Sequence, residues 1–198
     1  VLDIVQSKFL DSNINADFFS VTDGGQESTE IFKSHNFQTH ESFEALNCDN
    51  SLSIVESLNI NGSVFFESAK LIGVDSKNES MSINTGCLLD AVQKTEVLGT
   101  GGSKTIDFGI GLLSKLGMEF VSNGETIINP VPKDFSYIDQ IKATNFKSNL
   151  ENRILSDTNI SLLGENSAFD VFGPQKGLSE KDIEKHKLEV ERLSLIHI

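Results

Sequence analysis

The residues best suited to chemistry lie in a glycine-rich segment, 99–105, where three glycines fall within four residues and Ser-Lys-Thr follows. Backbone N–H groups without a neighbouring Cβ can approach an anion closely, and a helix that begins after them adds its positive end. We therefore assign Gly101, Gly102, Ser103 and Thr105 as candidates for binding a phosphate chain or a carboxylate. A tight turn between a strand and a helix that binds nothing explains the spacing equally well.

Neither common phosphate-binding pattern fits this segment. A Walker A loop requires glycine immediately before its Lys-Thr, where Ser103 stands. A dinucleotide fingerprint that begins at Gly99 requires a third glycine at the position of Lys104. An unrelated α/β nucleotide-binding module is therefore the weakest interpretation. Lys104 is interpreted as a solvated surface lysine, with a phosphate contact as the alternative.

Two aspartates beside glycines could supply the carboxylate that phosphoryl transfer to an alcohol requires, either to accept the hydroxyl proton or to hold Mg²⁺. Asp23 lies in the segment TDGG, and Asp107 follows closely on the glycine-rich segment. The alternatives are a plain turn at Asp23 and a helix cap at Asp107, and the residues alone favour them. They do not indicate which aspartate would be the base and which would hold the metal.

Two later segments offer polar groups to a hydroxy acid or an anion. Asp157 and Asn159 stand in the segment SDTN after an apolar run, and Gln175 and Lys176 stand in FGPQKG on a turn stiffened by proline. In a chain this acidic, Lys176 is the natural counter-charge for a carboxylate or a phosphate. A loop whose proline and glycines only set its geometry is the alternative.

The elements that must position these residues alternate between strands and helices, which predicts the α/β class. The patterns predict a strand over 16–21, a helix capped by Ser28 or Thr29, hairpins between 36 and 60, and a hairpin at Asn123-Gly124. A charged amphipathic helix capped by Ser179 closes the chain.

Charge and composition limit the partners. The 198-residue chain carries a formal net charge of −13, which repels nucleic acid and anionic membranes. Bound phosphate then requires backbone N–H groups, lysines or a divalent cation that reverse the local potential. No apolar run is long enough to cross a bilayer, and no basic-then-apolar leader opens the chain. Cys48 and Cys87 lack metal-ligand spacing, so we expect reduced thiols in a cytoplasmic protein.

Five blocks, in order along the chain, resemble the glycerate kinase family. The glycine-rich segment and the residues after it resemble the family pattern GxGGSATNDGGxGM with a following LG. SVTDGGQEST, FFESAKLIGV and SINTGCLLDA resemble three further blocks, and FGPQKG repeats the core of a fifth nearly letter for letter. In the glycine-rich block the matching residues are Gly99, Gly101, Gly102, Ser103, Thr105, Asp107, Gly109, Gly111, Leu116 and Gly117.

The resemblance implies a two-domain α/β architecture with one Rossmann-like domain and the site between the domains. It implies transfer of the γ-phosphoryl group of ATP to glycerate with Mg²⁺, giving 2-phosphoglycerate (3-phosphoglycerate is the less favoured product). Asp23 and Asp107 would be catalytic, and Gly24 and Gly25 would join the ligand-binding residues. The sequence does not indicate stereochemical preference or oligomeric state.

Departures from the family pattern favour an alternative, a non-catalytic homologue that keeps the scaffold and binds a ligand. Phe108 replaces a glycine beside Asp107, and Ile106 replaces an asparagine. Lys104, Asn84 and Cys87 replace alanine, glycine and glutamate.

We expect a chain that lacks both ends of a family member, because the opening DxFKxS and the late TGEGxxDxQTxxGK segments are absent. We predict that residues 1–40 form part of a Rossmann-like domain without its first strand, and that residues 41–192 form a second α/β domain carrying the glycine-rich segment. Residues 193–198, LSLIHI, are interpreted as a tail derived from a sequencing adapter.

Overall fold

The structure is a computed structural model that describes residues 7–9, 11–12, 20–146, 150–156 and 158–196. It confirms the predicted α/β class, with one mixed sheet, one small antiparallel sheet and helices packed against them. Among the helices it describes, none has both the length and the apolar character that a bilayer crossing requires.

The larger sheet has five strands: β1 (Gln38–Leu46), β2 (Leu52–Ile60), β3 (Ser63–Glu67), β4 (Val97–Gly99) and β8 (Arg153–Leu155). Their order in the sheet is β1-β2-β3-β4-β8. The first three run antiparallel, whereas β3, β4 and β8 are parallel. The β2–β3 hairpin turns at Asn61-Gly62, where both residues adopt the positive φ that this dipeptide accommodates.

The smaller sheet has three strands: β5 (Glu119–Ser122), β6 (Glu125–Thr126) and β7 (Gln140–Lys142). Their order is β6-β5-β7, and the β5–β6 hairpin turns at Asn123-Gly124 as predicted. The α-helices are α1 (Ser28–Ser34), α2 (Ala69–Ile72), α3 (Leu89–Lys94), α4 (Ile110–Lys115), α5 (Ala168–Phe172) and α6 (Glu180–Ser194). Short 3₁₀ helices cover Ser80–Ser82, Thr85–Leu88 and Pro132–Asp134.

Two apolar clusters form the core, and α4 contacts both of them. The first lies under the five-stranded sheet around Phe66, Leu98 and the helix α3. The second joins the small sheet to α5 and α6 through Phe135, Phe169 and neighbouring residues. Leu112 of α4 packs against the first cluster and Ile110 belongs to the second. This helix therefore fixes the two parts of the described chain against each other.

The sequence misplaced two features at the start of the described chain. Residues 20 and 21 are not in a strand, and positions 16–19 of the predicted strand lie outside the described residues. Ser28 and Thr29 lie inside α1 rather than capping it, because the carboxylate of Glu67 takes the role of the cap. The predicted domain division at residue 40, which falls within β1, and the origin of the tail stay predictions.

Candidate anion-binding site at the glycine-rich loop

The glycine-rich loop leaves the sheet at the carboxyl ends of three parallel strands. Glu67 at the end of β3 lies opposite Gly99 at the end of β4, and Gly99 lies opposite Leu155 at the end of β8. Segments that follow parallel strands meet at the same edge of a sheet, which is where ligands bind in open α/β sheets. The loop therefore occupies a favourable position for a site.

The TDGG turn packs directly on this loop. A Cβ on Gly99 would lie 2.3 Å from the carbonyl oxygen of Gly24, and a Cβ on Gly101 would lie 2.6 Å from the Cα of Gly25. These glycines are required because two backbones touch.

Three consecutive backbone N–H groups in the loop are nonetheless free. The flanking residues are bonded, since Thr100 donates to the carbonyl of Leu155 at 3.2 Å and Lys104 donates to that of Ile72 at 2.7 Å. Within the described part of the chain, the N–H groups of Gly101, Gly102 and Ser103 have no acceptor. Gly102 adopts φ 74°, in the left-handed region that one residue of an anion-binding backbone nest occupies.

Lys176 brings a positive charge to the same loop from the fifth block. Its ammonium group donates to the backbone carbonyl of Ser103 and, at 3.1 Å, to the Ser103 hydroxyl. Burial of this half-buried side chain, and then the charge of Lys104, lower the pKa of Lys176 to about 8. Among the residues that the structure describes, no carboxylate lies within 4.0 Å of either lysine's ammonium group.

Asp23 is exposed beside this loop. Its Oδ1 accepts a 2.8 Å hydrogen bond from the N–H of Gly25, which shapes the turn. Its other oxygen makes no hydrogen bond within the described residues, so it is open to a ligand, a proton or a cation.

Asp107 is instead enclosed in the protein and occupied by internal partners. Its side chain is 5% exposed, and its oxygens accept from the Thr85 hydroxyl at 2.5 Å and the Gly109 N–H at 2.9 Å. Burial raises the pKa of this carboxyl group. The hydroxyl of Thr85 also accepts from the N–H of Leu112, so the first turn of α4 is engaged by Asp107 and Thr85. This helix start does not follow directly on the loop, contrary to the expected strand–loop–helix arrangement.

The positions of the remaining predicted site residues do not indicate a role for them. Thr105 is buried, and its hydroxyl has no partner within the described chain. Asn159 and Gln175 are exposed and make no hydrogen bond there. Asp157 lies outside the described residues.

Sequence reasoning missed Glu67 as a site-building residue. Its side chain is 1% exposed, and its two oxygens accept from the N–H groups of Glu27 at 2.9 Å and Thr29 at 2.8 Å. The carboxylate thereby ties the start of α1, and the TDGG turn before it, to the end of β3. One acidic residue ending the apolar run SVFFE was the available signal.

Phe108 does not fill the space beside the loop. Its φ of 56° turns the ring into the second core cluster, 5.6 Å from the ring of Phe135 and 5.9 Å from that of Phe169. The left-handed backbone also explains why a glycine suits this position in the family pattern.

The described residues contain no group of three or more His, Cys, Asp or Glu side chains arranged to hold a metal ion. Mg²⁺ in phosphoryl-transfer sites commonly uses one or two carboxylates together with phosphate oxygens and water. The open oxygen of Asp23 beside free N–H groups fits that donor set, whereas the enclosed Asp107 does not.

Comparison with known proteins identifies the relatives of this chain. Residues 1–197 match the sequence model of the glycerate kinase family. Glycerate kinase of Bacillus subtilis (strain 168) is 32% identical over 116 residues, which are 54% of this chain and 30% of that protein. Glycerate 2-kinase of Escherichia coli (strain K12) is 31% identical over 87 residues, 42% of this chain and 23% of that protein.

A crystal structure of a candidate glycerate kinase 2 from Salmonella typhimurium LT2 shares the fold, with a TM-score of 0.70 at 19% identity. The match covers 96% of this chain and 56% of that one. The chain thus spans about half the length of this structural relative, and less of the two curated relatives.

Proposed function

This chain belongs to the glycerate kinase family, and we propose that the complete protein transfers the γ-phosphoryl group of ATP to glycerate. The observation that carries the proposal is the group of three free N–H groups at Gly101, Gly102 and Ser103 beside the ammonium of Lys176. The three residues are half-buried and neighbour one another, so their unpaired N–H groups are open to an acceptor from outside the chain. An anionic acceptor is favoured because an unpaired cation lies beside them.

The reaction then assigns different roles to the two aspartates. A hydroxyl oxygen of glycerate attacks the γ-phosphorus, the bond to the β,γ-bridging oxygen breaks, and ADP leaves with that electron pair. Asp23 has the open carboxylate oxygen and accepts the hydroxyl proton or holds Mg²⁺, which would neutralise charge on the phosphates. Asp107 acts as a positioning residue that holds the start of α4.

We further propose 2-phosphoglycerate as the product, and glycerate and ATP as the partners, with neither nucleic acid nor membrane. The E. coli relative is named a glycerate 2-kinase, which supports that product. Cytoplasmic ATP makes the cytoplasm the expected compartment. The chain spans about half of its structural relative, and phosphoryl transfer depends on groups that close around both substrates. The 198-residue chain alone is therefore expected to lack appreciable kinase activity.

The alternative, a non-catalytic ligand-binding homologue, was motivated chiefly by Phe108. Because the ring packs in the core, it does not fill the glycine-rich loop, and this motive for the alternative is removed.

The test is an assay of the complete protein with ATP, Mg²⁺ and D-glycerate, with the product position determined by phosphorus NMR. We expect Asp23→Asn to lower kcat at least a hundredfold without changing the unfolding midpoint. Asp107→Asn should instead lower the unfolding midpoint. No phosphorylated glycerate from the unsubstituted complete protein would reject the proposed function, and unchanged kcat in Asp23→Asn would reject the role of that aspartate.

A further inference from the structure

We propose that Lys104 and Lys176 form a two-cation subsite that places the phosphate chain of the nucleotide, and not the carboxylate of the hydroxy acid, on the glycine-rich loop. The inference rests on the proposed function for the identity of the two ligands. Lys104 is a departure from the family pattern, so the second cation belongs to this chain rather than to the family motif.

The geometry joins both lysines to one residue. Lys176 donates to the carbonyl oxygen and the hydroxyl of Ser103, and Lys104 is the next residue along the chain. The N–H of Lys104 is fixed by a 2.7 Å hydrogen bond to Ile72, which anchors the loop at this point. Burial of the Lys176 side chain, and then the positive charge of Lys104, lower the pKa of Lys176.

The charges around these two lysines differ from those around the six described lysines that pair with carboxylates. The chain has 29 acidic residues against 16 Lys and Arg, and several lysines have carboxylate partners. Lys94 pairs with Glu41 at 2.9 Å, and Lys187 pairs with Asp170 at 2.7 Å. Within the described part of the chain, neither Lys104 nor Lys176 has such a partner. Two lysines without a carboxylate within 4.0 Å therefore belong to the same site as three free N–H groups.

Two neighbouring lysines favour a ligand that carries several negative charges over one that carries a single negative charge. Coulomb attraction grows with the product of the charges, so two ammonium groups stabilise a polyphosphate far more than a singly charged carboxylate. A polyphosphate also offers several oxygens, enough for both lysines and the N–H groups of Gly101, Gly102 and Ser103. One carboxylate has only two oxygens, which cannot satisfy five donors at once.

The test measures binding of inorganic tripolyphosphate and, separately, of D-glycerate to the 198-residue chain by calorimetry at low salt. We expect Lys104→Ala and Lys176→Met each to weaken tripolyphosphate binding about tenfold or more and to leave glycerate binding within about twofold. Lys142→Ala removes an exposed lysine of β7 and serves as the matched charge control, with an expected change below about twofold. Circular dichroism on each variant confirms folding, and Lys104→Gln provides a second variant at a half-buried position.

Tripolyphosphate affinity unchanged in both Lys104 variants, or no tripolyphosphate binding by the unsubstituted chain, would overturn the inference. Glycerate affinity falling in parallel with tripolyphosphate affinity would also overturn it. These outcomes are separable from failure of the proposed function. A complete protein without kinase activity whose loop binds tripolyphosphate through both lysines would reject the function and keep the subsite.

Discussion

Lys176 makes anion binding depend on pH in the alkaline range. Burial, and then Lys104, lower its pKa to about 8, and only the protonated form attracts an anion. Tripolyphosphate affinity should therefore fall as the pH rises through about 8, as calorimetry from about pH 7 to about pH 10 would measure. Lys176→Arg keeps its charge over that range and should abolish the fall. An equal fall in the arginine variant would assign the effect to another group.

The sign of the accompanying stability change follows from the same shift. The folded pKa lies below that of the unfolded lysine, so the unfolded chain binds more protons between about 8 and the usual value of 10.5. The free energy of unfolding of the ligand-free chain should consequently rise with pH across that window, as far as this group contributes.

Phe108 has a strained, left-handed backbone and a ring that packs in the core. Phe108→Ala and Phe108→Gly both remove the contacts with Phe135 and Phe169, so both should unfold at lower urea concentration than the parent. Only glycine relieves the left-handed φ of 56°, which should make it the more stable of the two by about 1 kcal/mol. At an ordinary position alanine would be the more stable, so that order would contradict the assigned backbone conformation.

Sequence patterns drew attention to Lys176 and Asp23 as candidate site residues, because both stand in short segments with strong turn chemistry, and the structure places both beside the glycine-rich loop. They could not show that Asp107 is enclosed whereas Asp23 is open. The enclosure depends on Thr85, which folds against Asp107 from a distant segment. Glu67 was missed for the same reason. Its partners are N–H groups about forty residues away, which no local spacing reveals.

Among the loops and strands, the contact between the TDGG turn and the glycine-rich loop determines the shape of the site. Gly101→Ala places a Cβ 2.6 Å from the Cα of Gly25, so one backbone must move, and we expect a loss of about 2 kcal/mol or more in unfolding free energy. Gly124→Ala is the control, since its Cβ meets nothing within 4 Å and only its φ of 85° opposes a side chain, by about 1 kcal/mol. Equal losses in urea denaturation would refute the loop contact.

The link from β3 to α1 is equally testable. Glu67→Gln leaves one of the two N–H groups, of Glu27 or Thr29, facing an amide nitrogen instead of an oxygen. A buried donor left without its acceptor should lower the unfolding free energy by about 1–3 kcal/mol. Exposed Glu44→Gln in β1 should change it by less than about 0.5 kcal/mol. Similar values for the two variants would show that α1 is held by other contacts.

The hairpins were predictable because Asn-Gly turns and alternating strands are local signals, and both Asn-Gly turns have the expected positive φ. The helix α6 was predictable too, since Ser179 and Asp182 form its capping box. The start of α1 was not, because a distant carboxylate replaces the local cap. The pairing of β4 between β3 and β8 likewise depends on tertiary contacts that no short window contains.

In the whole molecule, Lys104 and Lys176 are positive charges at the glycine-rich loop of a chain whose net charge is −13. No predicted ligand residue lies in β1, β2 or β3. The predicted site loops that contact one another lie at the carboxyl ends of β4 and β8. The chain spans about half of its structural relative, and catalysis is proposed only for the complete protein.

The most direct measurement of the central claim is a titration of the ¹⁵N-labelled chain with ATP, followed through its amide resonances. We predict that the resonances of Gly101, Gly102 and Ser103 shift most and saturate together, and that Lys176→Met weakens the response about tenfold or more. Resonances of these three residues that stay in place while ATP binds elsewhere, or does not bind, would contradict the account.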